Sequence, residues 1–353
     1  MTQRLPHPLL QALVGDEEVG ALFSNEAELA AMLRVEAALA EAEAGAGLIS
    51  HEAARRIAEI CRSFRPNWEK LASGLAQDGV IVPELVRQLR VAVGEDHARA
   101  VHLGATSQDI IDTALMLRLK GAIEILGRRL SRLIQILAAV RTRDGSVRLI
   151  AHTRMQQALP FTAADKIETW IAPLERHREA LQAIAPRLLV LQLGGPIGIR
   201  GEFKGQGDAV AGAMAEILEL GAAASWHSQR DRIGEFAALL SLLTGTLGKM
   251  GQDIALMAQN EVGEVRLAGG GGSSAMPHKS NPVQAEILVS LARFNAGLLG
   301  TLHQALVHEN ERSGAAWTLE WMVLPQMVVS AGAALNRAIA LVEAMTVTGR
   351  HSG

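Results

Sequence analysis

The sequence predicts an all-α protein whose long helices pack side by side as a bundle, and three observations carry that expectation. Of 353 residues, 49% are hydrophobic but only 3% aromatic, with no Tyr at all. An alanine- and leucine-rich chain of this kind favours helices, because strands draw on aromatic and β-branched side chains. Helical periodicity runs from end to end, whereas strand-like alternation is confined to 189–193 and 197–199. The third observation is the segment from Asp231 to about Leu267. There Ile233, Phe236, Leu240, Leu243, Leu247, Met250, Ile254 and Met257 recur at alternating spacings of three and four.

Taken in order, Asn25 with Glu28 three residues on opens a helix carrying Leu29, Met32, Leu33 and Leu39 near one face, and Gly45 and Gly47 close it. Shorter helices follow at about 51–63, 68–77 and 83–93. Long ones are expected at about 107–143 and 161–185, with another at 207–220. The helix from 231 would be about 55 Å long at 1.5 Å per residue, beyond the diameter of a small domain. A second stripe along it is small (Gly234, Ala238, Ser241, Gly245, Gly248), so a neighbouring backbone can approach closely. Apolar and small faces on several sides call for partners, and a homo-oligomer built on a shared bundle follows. Continuing the seam past Met257 places Glu261 and Glu264 on the same stripe. A last helix is expected at 326–346. By this pattern residues 1–100 form an N-terminal helical domain and 101–346 the central bundle, which carries a loop at 261–282.

Composition narrows the partners. A net charge of −3 with interspersed signs offers no footprint for nucleic acid. A single cysteine, Cys61, excludes an internal disulfide and reads as a small buried hydrophobe in the pattern Ile57, Ile60, Cys61. The N-terminal MTQRLPHPLL lacks a signal-peptide core. The apolar run Phe236–Ala258 is interrupted by Lys249 and Asp253, short of the roughly 20 residues a membrane span needs. A cytoplasmic protein with no membrane partner is expected.

Three segments concentrate carboxylate-binding chemistry. The most informative is GGGGSSAMPHKSNP, 269–282. Four glycines make a hinge, Ser273, Ser274, His278 and Lys279 follow, and Asn281 with Pro282 reads as the N-cap and first position of a helix whose free N–H groups favour an anion. The second is VHLGATSQDIIDTA, 101–114, where Thr106 and Asp109 form a capping-box pattern, with Ser107 beside them and His102 just upstream. It reads equally as an ordinary helix cap. The third, AHTRMQQALPFT at 151–162, crowds His152, Arg154 and Gln156 into a loop before Pro160, and a merely solvated loop is the competing reading. No phosphate-binding GxxxxGK[ST], HExxH or CxxC is present, so neither nucleotide nor metal is expected.

Together the segments resemble the fumarase/aspartase superfamily. Its GSSxMPxKxNP signature is matched at Gly272, Ser273, Ser274, Met276, Pro277, Lys279, Asn281 and Pro282, and HxGxTSxD at His102, Gly104, Thr106, Ser107 and Asp109. The resemblance implies an all-helical subunit in a homotetramer, with each active site assembled from three chains, and no cofactor. Within the superfamily, WHSQRDRIGE (226–235), HENERSGAAWTLEW (308–321) and HTRMQQALP are most similar to the carboxymuconate cycloisomerases. Members that release fumarate from adenylosuccinate carry a histidine where Arg154 stands. Fumarate release from adenylosuccinate or argininosuccinate competes with ring closure as the reaction, and a catalytically silent helical scaffold competes with both. The usual C-terminal helical domain is expected to be largely absent.

The resemblance implies proton transfer beside a carboxylate of a small polycarboxylate substrate. Ser273 is then the proton-transfer residue and Lys279 the charge stabiliser, with Thr106, Ser107, Asn281 and Arg154 binding carboxylates. His102, His152, Gln156 and Arg312 are expected as secondary binding groups, and Trp317 and Trp321 as pocket walls or core.

Overall fold

The chain is described by a computed structural model covering residues 8–272, 276 and 280–349. Two short helices, α1 (Gln11–Val14) and α2 (Glu17–Ala21), lead into α3 (Asn25–Gly45), α4 (His51–Ser63), α5 (Trp68–Asp78) and α6 (Val82–Val93). Each of α3, α4 and α5 begins where a short polar side chain takes the N–H three residues on: Ser24 from Ala27 (3.1 Å), Ser50 from Ala53 (3.1 Å), Asn67 from Lys70 (3.0 Å). The cap of α3 is therefore Ser24 rather than Asn25, which is already helical.

The bundle is made by α7 (Ser107–Asp144), α8 (Ala163–Leu188), α10 (Asp231–Met257), α11 (Val283–Gln304) and α12 (Gly314–Glu343), with the shorter α9 (Gly207–Leu218) packed on α3. Every residue of the heptad seam on α10 is buried. The small stripe divides. Gly248 receives α11, where an added Cβ would meet the Leu288 carbonyl at 3.3 Å, whereas at Gly245 it would meet nothing within 4 Å. The apolar helix α11 is only half covered. It and α12 are long and apolar enough to cross a membrane by length and composition, but α12 is mostly buried within the chain, while Phe294 on α11 and Leu242 on α10 are exposed.

Four sequence expectations are corrected. The segments 189–193 and 197–199 are not strands; Val190 makes one parallel bridge to Gly221. The strands are instead β1 (Arg148–Thr153) and β2 (Gln156–Thr162), an antiparallel hairpin whose two-residue turn, Arg154–Met155, has φ of 48° and 66°. Such turns usually advertise themselves with Asn or Gly, and this one does not. Next, α10 stops at Met257, about 40 Å from its start. Gly263, with φ of 64°, reverses the chain, and β3 (Val265–Leu267) pairs with β4 (Met345–Val347). The head of α11 is Val283, because Asn281 is engaged as backbone, exchanging N–H···O bonds with Gly271 at 2.9 and 2.8 Å. Finally, the last helix spans 314–343, capped by Ser313, and includes Pro325.

Candidate active site

Asp109 organises the head of α7. Its buried carboxylate accepts five hydrogen bonds: Oδ2 from the Thr106 N–H (3.0 Å) and the Gly195 N–H (2.9 Å), Oδ1 from the Gly194 N–H (2.8 Å), Gln192 Nε2 (3.2 Å) and His227 Nε2 (2.9 Å). One anion thus ties the first turn of the helix to the 192–195 turn and to the segment before α10. Gly104, with φ of 68° and the Phe203 ring 3.0 Å from where a Cβ would stand, lets the chain pass between. Thr106 and Ser107 are left partly exposed beside this frame.

Beneath it lies a dry charge cluster. Arg230 is fully buried and reaches Asp112 (2.6 and 3.1 Å) and Glu320 (3.0 and 2.6 Å). Trp317 Nε1 donates to Asp112 (3.1 Å), and the Trp226 ring lies 4.8 Å from the guanidinium. Burial opposes the Arg230 charge, but the two carboxylates outweigh it and hold it cationic. The stretches 226–235 and 308–321 therefore meet here. Trp317 belongs to this core, and Arg312 reaches Gln108 (2.7 Å) and the Pro196 carbonyl (3.2 Å), placing it next to Ser107.

His102 sits at the edge of the same head. Its backbone is left-handed (φ 62°), and Nδ1 lies 2.7 Å from Oε1 of Glu36 on α3. Burial works against its charge, yet Glu36 holds the imidazole above its ordinary range. Sequence reading missed Glu36. A signal was present: Glu36 and Glu43 continue the stripe Leu29, Met32, Leu39 at helical spacing, so two acids stand where apolar residues belong.

The other two segments lie elsewhere. His152, Arg154 and Gln156 stand exposed at the hairpin turn, beyond the opposite end of α7, and the length of that helix separates them from Ser107 by about 55 Å. The base of the signature loop is at their end. Glu264, buried rather than on a helical stripe, accepts from the Ile150 N–H (2.9 Å), and Asp144 accepts from the Val347 N–H (3.1 Å). The Gly271–Asn281 pair closes the loop at its foot, and Gly270 lies so close to Ser280 that a Cβ there would collide with its hydroxyl. Part of the glycine run is thus a tight seam. The proposed Ser273 and Lys279, with His278, lie outside the described residues. One chain accordingly holds the 151–162 hairpin and the base of the signature loop at one end, and the 101–114 segment, with Arg312, at the other.

A cavity of about 540 Å³ between α3, α5, α7 and α12 is lined by Phe23, Trp68, Leu115, Arg118 and Trp321 among others; of the three segments it touches only Ile111 on α7, and none of the expected site residues lines it. Trp321 walls that space.

A family model described as a lyase matches residues 16–294. The chain is 43% identical to the 3-carboxy-cis,cis-muconate cycloisomerase of Pseudomonas aeruginosa, over 93% of this chain and 73% of that protein. It is 37% identical to the enzyme of the same name from Acinetobacter baylyi, over 97% and 78%. The crystal structure of 3-carboxy-cis,cis-muconate lactonizing enzyme from Pseudomonas putida superposes with a TM-score of 0.91 at 39% identity, covering 97% of this chain and 78% of that one. The chain spans about three quarters of the length of these relatives. With its helical bundle, its 272–282 signature and a family match across most of its length, the chain belongs to the lyase family of the fumarase/aspartase superfamily.

Proposed function

We propose that the protein is a carboxymuconate cycloisomerase, closing 3-carboxy-cis,cis-muconate to 4-carboxymuconolactone in the protocatechuate branch of the β-ketoadipate pathway. The observation that carries this reading is 43% identity to a cycloisomerase over 93% of the chain. In the reaction a substrate carboxylate oxygen forms a C–O bond to a carbon of the conjugated diene, and a proton is added to the neighbouring carbon. The nucleophile is the substrate's own, so the protein's task is to fold the diene into attack geometry and to stabilise the enediolate-like charge.

In this reading Ser273 transfers the proton and Lys279 neutralises developing charge. Thr106, Ser107 and Asn281 bind carboxylates, Arg154 pairs with one in fork geometry and does not titrate, and His102, His152, Gln156 and Arg312 orient the rest. The working unit is a homotetramer. Two features support this: the separation of the three segments within one chain, and the uncovered apolar faces of α10 and α11 with Leu242 and Phe294 exposed. An antiparallel neighbour brings one chain's α7 head to another's hairpin and loop. Residues 1–100 then serve as the N-terminal domain and 101–346 as the shared bundle, in a cytoplasmic enzyme.

Adding 3-carboxy-cis,cis-muconate to the protein should bleach the diene's ultraviolet absorbance, and Ser273→Ala should nearly abolish the change. No bleaching by the intact protein would sink the assignment. Release of fumarate from adenylosuccinate or argininosuccinate would replace it with an intermolecular lyase.

A further inference from the structure

We propose that Glu36 is a positioning residue for His102: its buried carboxylate holds the imidazole ring by Nδ1 and keeps it an imidazolium, a fixed cation beside Thr106 and Ser107 for a substrate carboxylate. The geometry is a dead end for charge on the Glu36 side. Its side chain is wholly buried, Oε1 meets His102 at 2.7 Å, and Oε2 has no partner. Behind it stand Glu43, with neither oxygen partnered, and the buried thiol of Cys61. Neither neighbour can neutralise Glu36. Burial and the Glu36 charge push the Glu43 carboxyl up to about 9 and the Cys61 thiol up to about 12, so both stay protonated at neutral pH.

The groups facing His102 come from three elements. Glu36 on α3 and Asp109 on α7 favour its proton, while Arg90 on α6 opposes it. Arg90 is directed to the Val101 carbonyl (3.2 Å), and Asp109 is spent on its five donors, so the direct ion pair decides. A neutral His102 would leave a carboxylate buried without a counter-charge, which a protein interior disfavours strongly. The left-handed backbone at His102 is the strain accepted to turn the ring onto α3. Nδ1 is committed to Glu36, and Nε2 is the nitrogen left to serve as a charged donor.

The inference rests on the carboxymuconate reading only for its kinetic arm. Histidine labelled at Cε1 with carbon-13, with His102 assigned by its loss in His102→Gln, should titrate by NMR above 6.5 in the wild type. In Glu36→Gln the midpoint should fall by about one unit or more, a tenfold weaker hold on the proton. In kcat/KM for carboxymuconate, the alkaline limb should move down by the same interval. The variant then loses about tenfold at pH 8 and recovers near wild-type turnover at pH 5.5, a rescue that general structural damage does not give. An unchanged His102 midpoint in Glu36→Gln overturns the inference. If that variant fails to fold, the wild-type titration decides, and a midpoint at or below 6.5 overturns it. Absent turnover by the wild type with the NMR shift intact would refute the substrate assignment and leave the pair standing.

Discussion

Asp109→Asn tests whether one buried anion frames the head of α7. The two carboxylate oxygens receive two and three donors respectively, and three of the five are backbone N–H groups that cannot turn away. An amide replaces one oxygen with a donor. In either orientation its NH2 faces at least two donors, leaving those groups buried and unpaired. At about 1–3 kcal/mol for each orphaned buried group, the loss is on the order of 2–6 kcal/mol. That is a large share of a typical domain's stability, about 5–15 kcal/mol. Urea unfolding should show the lower midpoint with an unchanged slope, and Asp109→Ala, which removes all five acceptor contacts, should fall further. Because Thr106 and Ser107 lose their mount, kcat/KM on carboxymuconate should drop in the same order. A change in unfolding free energy below about 1 kcal/mol in Asp109→Asn would refute the frame and return Asp109 to an ordinary cap, which is worth about that much.

Two further outcomes follow from buried charge. Arg230→Met leaves Asp112 and Glu320 facing each other without their cation, and breaking such a cluster from one side should cost about 3–5 kcal/mol in urea unfolding; a neutral result would mean that the carboxylates are satisfied by other means. Glu43 is ionised in an unfolded chain above its ordinary 4.5 but held neutral in the fold up to about 9, by burial and then by Glu36. The stability given by its protonated form is complete below pH 4.5 and drains as pH rises toward 9. Glu43→Gln abolishes that drain, so its urea midpoint should gain on the wild type steadily from pH 5.5 to 8.5. Parallel midpoints across that range would show that Glu43 does not titrate as the fold demands.

Local rules serve well wherever the deciding contacts are close in sequence. The long helix from 107, the run of 51–63 and the α10 seam are legible because each residue's burial follows from neighbours three and four positions away. The hairpin at 148–162 is not. Its turn is Arg154–Met155 with no Asn or Gly, and its anchor is Glu264, more than a hundred residues later. The end of α10 escapes local rules for a related reason: the spacing of Glu261 and Glu264 continues the heptad, while pairing of β3 with β4 takes the chain out of the helix.

By itself the sequence determined the mostly helical class, the three polar segments and the family signature, because composition, periodicity and a fixed string of residues are local facts. Only the tertiary structure decided where those segments lie. It put His102, Thr106, Ser107 and Arg312 at one end of α7 and the hairpin and loop base at the other, since a 38-residue helix is a rigid spacer that no spacing in the sequence can shorten. It also decided which carboxylates are structural. Asp109 and Asp112 are three residues apart on one helix, yet the fold gives the first to backbone N–H groups and the second to Arg230, because each faces a different neighbour.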